Sequence, residues 1–167
     1  MEQKERDIAY KSEIFKTLLM DLIYAYRSTL KKLMSLKTDI KLETIRTTPI
    51  PINGQTIVTC KIKNLLGGKI ICVLDEKLVN FLKKELAKEY YSKPIETFIL
   101  DFFNNFSSIS KNGMISIHDE SVEIQSTLSE SVVCYIRFDT KIFLTDGKAI
   151  QSNFIVALDE ITSMYFN

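Results

Sequence analysis

The segment Ile70–Glu76, "IICVLDE", returns farther along the chain as Phe154–Glu160, "FIVALDE". In each copy a buried-type, strand-like run enters Leu-Asp-Glu and then an aromatic-containing segment with helical spacing. A match this short can arise by chance. The alternative is a duplicated strand-to-helix unit related by a pseudo-twofold axis, with two antiparallel sheet halves side by side and helices packed on them. The expected fold class is α+β: a pseudo-duplicated antiparallel sheet flanked by helices.

Working outward from the first copy, "TIVTCKIKNLLGGKIICVLDE" reads as two strands joined around Gly67-Gly68, because β-branched residues dominate both halves. Glu76 to about Tyr91 reads as a helix with Leu78, Leu82 and Leu86 on one face. Ser92 is placed to cap the next helix, with Pro94 in its first turn, where a missing N–H costs nothing. That helix spans about 94–108. Beyond "SKNG" the spacing predicts strands at Met114–Ile117, Val122–Gln125, Val132–Phe138, Lys141–Leu144 and Ile150–Leu158. Asp146-Gly147 signals a turn, and a short helix follows Asp159.

Upstream, Phe15, Leu18, Leu19, Leu22, Tyr26, Leu30 and Leu33 recur at three- and four-residue steps, the mark of an amphipathic helix over about 7–36. Its early part, "KERDIAYKSEIF", is either a partner surface or a solvated start. The stretch "TTPIPINGQ", about 47–55, then connects this helix to the sheet, since Pro49 and Pro51 forbid helix and Asn53-Gly54 favours a turn. A chain of 167 residues suits one domain, 1–167.

Lys and Arg total 22 against 21 Asp and Glu, so no field of one sign exists to gather nucleic acid or anionic lipid. Cys60, Cys72 and Cys134 sit in apolar, strand-like runs without metal or redox spacing, which reads as buried thiols of a cytoplasmic protein. The start lacks a signal-peptide pattern, and no run approaches the roughly 18 apolar residues of a spanning helix, so no membrane insertion is expected. His118 is the lone histidine, read as a loop residue and not a metal ligand. "NLLGGK" sits between strands and not before a helix, so it reads as a hairpin turn and not a phosphate cradle.

The helix from Pro94 has the most unusual composition. At about 100° per residue, Ile95, Phe98, Ile99, Phe102 and Phe106 share one face, with Phe103 at its edge. Thr97, Asp101, Asn104, Asn105 and Ser108 lie within about 60° of one another's mean direction on the other. A purely solvated face favours Lys, Glu, Gln and Arg, as the helix "EKLVNFLKKELAKEYY" illustrates. Short polar side chains lower helix propensity by up to about 0.7 kcal/mol each, but they let another surface approach closely.

"TFILDFFN", Thr97-x3-Asp101-x2-Asn104, resembles the Ser/Asp-x3-Glu-x2-Asn motif on the active helix of the CheC/CheX/FliY family of bacterial chemotaxis phosphatases. The likeness is greatest to the CheX branch and extends to the order of elements from about Ile14 to the closing strands with their "TDGK" turn. It implies an enzyme that hydrolyses the aspartyl phosphate of a CheY-type response regulator. Asn104 would orient the attacking water and Asp101 would dock the regulator's lysine; the remaining candidates Thr97, Asn105 and Ser108 share their helix face and are expected to meet the partner. No cofactor is implied for this chain itself, because the Mg²⁺ belongs to the regulator. A homodimer is also implied, and the apolar stretches "SVVCYIRF" and "SNFIVAL" are candidate edge strands for it. The chain departs from the motif at Asp101 for Glu, Thr97 for Ser or Asp, and Thr127 where a proline falls; the first helix carries no second motif. The alternative is a non-catalytic binding or scaffold module in chemotaxis or flagellar-switch signalling.

Overall fold

The computed structural model describes residues 12–50, 55–62, 67–87, 92–109, 117–125 and 132–166. Among these, the order is α1 (Glu13–Met34), β1 (Lys37–Arg46), β2 (Thr56–Ile62), β3 (Lys69–Leu74), α2 (Glu76–Ala87), α3 (Pro94–Ile109), β4 (Ile117–Gln125), β5 (Val132–Phe143), β6 (Ala149–Asp159) and α4 (Glu160–Met164). The six strands form one sheet in the order β1-β5-β6-β3-β2-β4, and every pairing is antiparallel.

That order is symmetric about its centre. Two β-β-β-α units, β1-β2-β3-α2 and β4-β5-β6-α4, meet where β3 pairs with β6, and the first strand of each crosses to the outer edge of the other. At the junction Cys72 faces Val156, flanked by Ile70 opposite Leu158 and Leu74 opposite Phe154. Cys72 and Val156 occupy the same position of the repeated segment, so the pseudo-twofold axis passes between them. The two aspartates of the repeat act alike. Asp75 accepts from the Leu78 N–H (2.9 Å) through Oδ1 and from the Asn153 N–H (2.9 Å) through Oδ2. Asp159 accepts from the Thr162 N–H (2.8 Å) and the Lys69 N–H (2.9 Å) in the same manner. Each caps its helix with one oxygen and ties a backbone N–H of the facing strand with the other. Asp159→Ala is therefore expected to cost about 1–3 kcal/mol, by removing a cap and stranding a strand N–H. Urea denaturation of it and of Asp75→Ala should give losses of the same order.

Where β3 and β6 pair, Ile70–Leu74 against Phe154–Leu158, both are apolar because both of their faces are covered. Cys60, Cys72, Leu74, Ile136, Phe138, Phe154 and Val156 pack with the helices, while Ile57, Ile71, Val73, Tyr135, Ile155 and Ala157 form a smaller cluster on the opposite face. β5 and β6 are consequently interior strands, and the edges are β1 and β4. This corrects the expectation that "SVVCYIRF" and "SNFIVAL" lie at an edge: continuous apolar character marked burial between neighbours.

Other differences have local causes. β1 lies in a stretch to which the spacing assigns no element, between the expected first helix and the connection at about 47–55. Its Thr38 and Ile40 alternate with exposed Lys37, Asp39 and Lys41, a short period-two signal hidden by charge. A bulge at Glu43 lets its carboxylate pair with Arg137. β4 is one strand and includes His118, so that residue is not in a loop; β5 likewise joins two expected strands. α1 starts after the Ser12 cap, whose hydroxyl accepts from the Phe15 N–H at 3.1 Å. It ends at Met34 because Ser35 turns left-handed (φ 56°) and its N–H bonds the Lys31 carbonyl. The part of the expected first helix before residue 12 and the proline-containing connection at 51–54 lie outside the described residues, as does Thr127.

Gly68 is required by its surroundings. Its φ is +107°, and a Cβ there would stand 2.7 Å from the Thr162 Oγ1, which itself donates to the Lys69 carbonyl. The hairpin is thus clamped from the far end of the chain.

All three cysteines are buried, and none is in a disulfide. Burial pushes the Cys60 thiol up to about 12 and the Cys72 thiol well above its ordinary range. An unfolded thiol ionises near about 8.5 while the folded one keeps its proton. Their contribution is fully present below that pH and is lost as pH rises toward 12. Melting temperatures measured from pH 7 to 11 should fall above about 9, and a thiol reagent at pH 8 should label the protein only after unfolding.

Candidate functional site

α3 is held from its first turn. The Thr97 N–H bonds the Lys93 carbonyl at 2.9 Å, which makes Lys93 the cap and Pro94 the first helical residue, in place of the expected Ser92 cap. Ile95, Phe98, Ile99, Phe102, Phe103 and Phe106 are all buried. Phe98 meets the ring of Tyr26 on α1 edge-on at 5.9 Å, and Phe102 meets Phe154 of β6 at 5.2 Å. Such edge contacts add orientation to the burial of large rings. The helix is fixed against both α1 and the sheet.

Its polar face divides into two groups. Asn105 is half-buried and turned toward α1: its Nδ2 donates to the Thr29 Oγ1 at 2.9 Å, and Thr29, fully buried, donates to the Ala25 carbonyl at 2.7 Å. This amide braces one helix against another. Ser108 is exposed, and its hydroxyl donates to the Asn104 carbonyl one turn back. The Asn104 side chain is exposed, and Thr97 and Asp101 are half-buried. None of these three side chains makes a hydrogen bond or ion pair among the described residues. The structure therefore brings Thr97, Asp101 and Asn104 together as an open donor-acceptor surface and diverts Asn105 to the fold.

Thr29 was not singled out from sequence, because a threonine inside an amphipathic helix carries no mark of the helix that will cross it. With Ala25 it forms a small-residue strip where α3 comes close. Among the described residues, no His, Cys, Asp and Glu side chains group as a metal site, and no helix is long and apolar enough to cross a membrane.

No protein-family model and no curated protein matches the sequence. Solved structures do match in shape. Thermotoga maritima FliY superposes with a TM-score of 0.65 at 16% identity, covering 93% of this chain and 96% of that one. The FliM middle domain from H. pylori superposes with a TM-score of 0.60 at 10% identity, over 92% and 94% of the two chains. A CheX structure from Vibrio vulnificus aligns at 0.48 and 11% identity, covering 86% of this chain and 99% of that one. The α+β class, the pseudo-duplicated sheet and the near-complete match to FliY and to the FliM middle domain together show that this chain has the fold shared by those two proteins.

Proposed function

We propose that the chain hydrolyses the aspartyl phosphate of a CheY-type response regulator. The observation that carries this reading is the open Asn104 amide, exposed one turn from Asp101 on a helix whose opposite face is wholly buried. Pushed beside the regulator's acyl phosphate, Asn104 accepts a hydrogen bond from the attacking water and aligns it in line with phosphorus. The water oxygen bonds to phosphorus, the bond to the regulator's aspartyl oxygen breaks, and phosphate leaves. Asp101 supplies the negative charge that docks the regulator's lysine. Positioning and electrostatics dominate this chemistry, so a single amide on a rigid support suffices. The Mg²⁺ is the regulator's, and this chain contributes no cofactor. The role is a cytoplasmic one, and the homodimer implied by the resemblance would pair through β1 or β4, the edge strands.

The test is the decay of phosphorylated regulators from the same organism, with and without the protein. Acceleration is expected, and Asp101→Glu, which restores the longer family side chain, should keep or raise it. A clear loss in Asp101→Glu would mean that the motif is read in the wrong register.

A second reading is a non-catalytic docking module. It is favoured by the shared fold with H. pylori FliM, which has been solved in a complex with SpeE, a TM-score of 0.62 to this chain. Such a module would bind the regulator regardless of phosphorylation and leave its phosphate lifetime unchanged.

A further inference from the structure

A polar cleft of about 810 Å³ opens between α1, the start of α2 and strands β1, β5 and β6. Thr97, Asp101 and Asn104 do not line it. The volume lies within the roughly 300–1,000 Å³ range of small-molecule sites.

The charges around the cleft do not cancel. Asp39 stands opposite Lys141 and Lys41 opposite Asp139 in the β1–β5 register, two cross-strand pairs of opposite sign. Asp75, the remaining anion, has each carboxylate oxygen bound by a backbone N–H and sits at the α2 N-terminus, turned to the backbone as a cap. That leaves Arg27 and Lys77, both exposed and without an ion-pair partner among the described residues. The lining as a whole carries a net charge of +1, and Arg27 and Lys77 present their cations to one concavity from two helices.

The floor is made of hydroxyls. Thr140 and Ser152, both buried, hydrogen-bond to each other, and Thr140 also donates to the Ser152 carbonyl at 3.2 Å. Behind them lies the Tyr26 hydroxyl, fully buried, with Thr140 and Ser152 as polar neighbours but no hydrogen bond of good geometry to either. Burial drives its phenol above the ordinary tyrosine range, and Thr140 and Ser152 are the neighbours that oppose the shift. Tyr26 is therefore a protonated donor held next to the floor. A buried hydroxyl left unbonded costs about 1–3 kcal/mol, so its retention beside a polar cleft calls for a function.

We propose that this cleft binds a small solute through an anionic phosphoryl or carboxylate group, with Arg27 and Lys77 taking the charge and the Ser152 hydroxyl donating from the floor. When Ser152 turns its proton to the anion, the Thr140 oxygen loses a donor and the Tyr26 hydroxyl replaces it. The tyrosine, which makes no well-formed hydrogen bond in the empty cleft, thereby completes the hydrogen-bond chain in the bound state.

The test titrates the full chain separately with inorganic phosphate and with acetate, at ionic strength held constant with NaCl, following thermal unfolding and the amide resonances of Thr140 and Ser152. Saturable stabilisation with matching shifts is expected from at least one anion. Phosphate alone identifies a phosphoryl site, and acetate a carboxylate site. The double variant Arg27→Gln/Lys77→Gln should unfold at the wild-type temperature in NaCl alone and bind at least about tenfold more weakly. Tyr26→Phe keeps the ring packed and should weaken binding severalfold; unchanged affinity there would overturn the relay. No effect of either anion beyond that of NaCl, or full affinity in the double variant, would overturn the site.

Discussion

Asn104→Ala is expected to slow dephosphorylation of the regulator by about 10² to 10³, the usual cost of deleting one preorganised dipole at a transition state. The variant isolates chemistry from folding. The Asn104 side chain is exposed and makes no hydrogen bond among the described residues, while its backbone carbonyl still serves Ser108. Alanine also raises helix propensity at that site by several tenths of a kcal/mol, so the variant should melt at or above the wild-type temperature. Asn105→Ala gives the opposite pattern. It removes the brace to Thr29 and should lower stability by about 1 kcal/mol. Single-turnover decay of the phosphorylated regulator and thermal melts, run on both variants, separate the two adjacent amides. If Asn104→Ala retained full activity, the water-orienting role would fall, and the docking-module reading would take its place.

Phe154→Ala is expected to remove about 3–5 kcal/mol of stability. Phe154 is fully buried beside the pseudo-twofold axis, opposite Leu74 on one side and Phe138 on the other. Its ring meets Tyr26 of α1 and Phe102 of α3, each at 5.2 Å. One side chain thus joins the sheet to both long helices, and truncation leaves a cavity that none of the three can close alone. Against a total of about 5–15 kcal/mol for a typical domain, the loss is large enough to leave the protein partly unfolded at physiological temperature. Urea denaturation should show a large fall in midpoint with an unchanged slope. A loss below about 1 kcal/mol would show that the aromatic cluster is not packed in this way.

The legible parts of this chain were those written in local spacing. The repeated Leu-Asp-Glu junction placed two strand-to-helix turns, and the structure places an aspartate at each in the same double role. The three-and-four spacing of apolar residues located the buried faces of α1 and α3, and the residual polar face of α3 supplied the candidate site. These signals survive because a helix face or a doubly covered strand is determined by neighbours a few residues away.

The remaining features depend on partners far apart in the chain. β1 crosses to β5 instead of β2, so the duplicated units interlock and the apolar strands become interior. Asn105 and Asn104 are adjacent and chemically identical, yet only the crossing of α3 over α1 binds the first and leaves the second open. Arg27, Lys77, Thr140 and Ser152 come from four separate elements and share no spacing, so their cleft exists only once the sheet and helices are assembled. Local spacing was enough to say which faces are apolar and which residues offer chemistry. Which of those groups remain free to act was decided by long-range packing, because a hydrogen bond made inside the fold removes a side chain from the surface as surely as burial does.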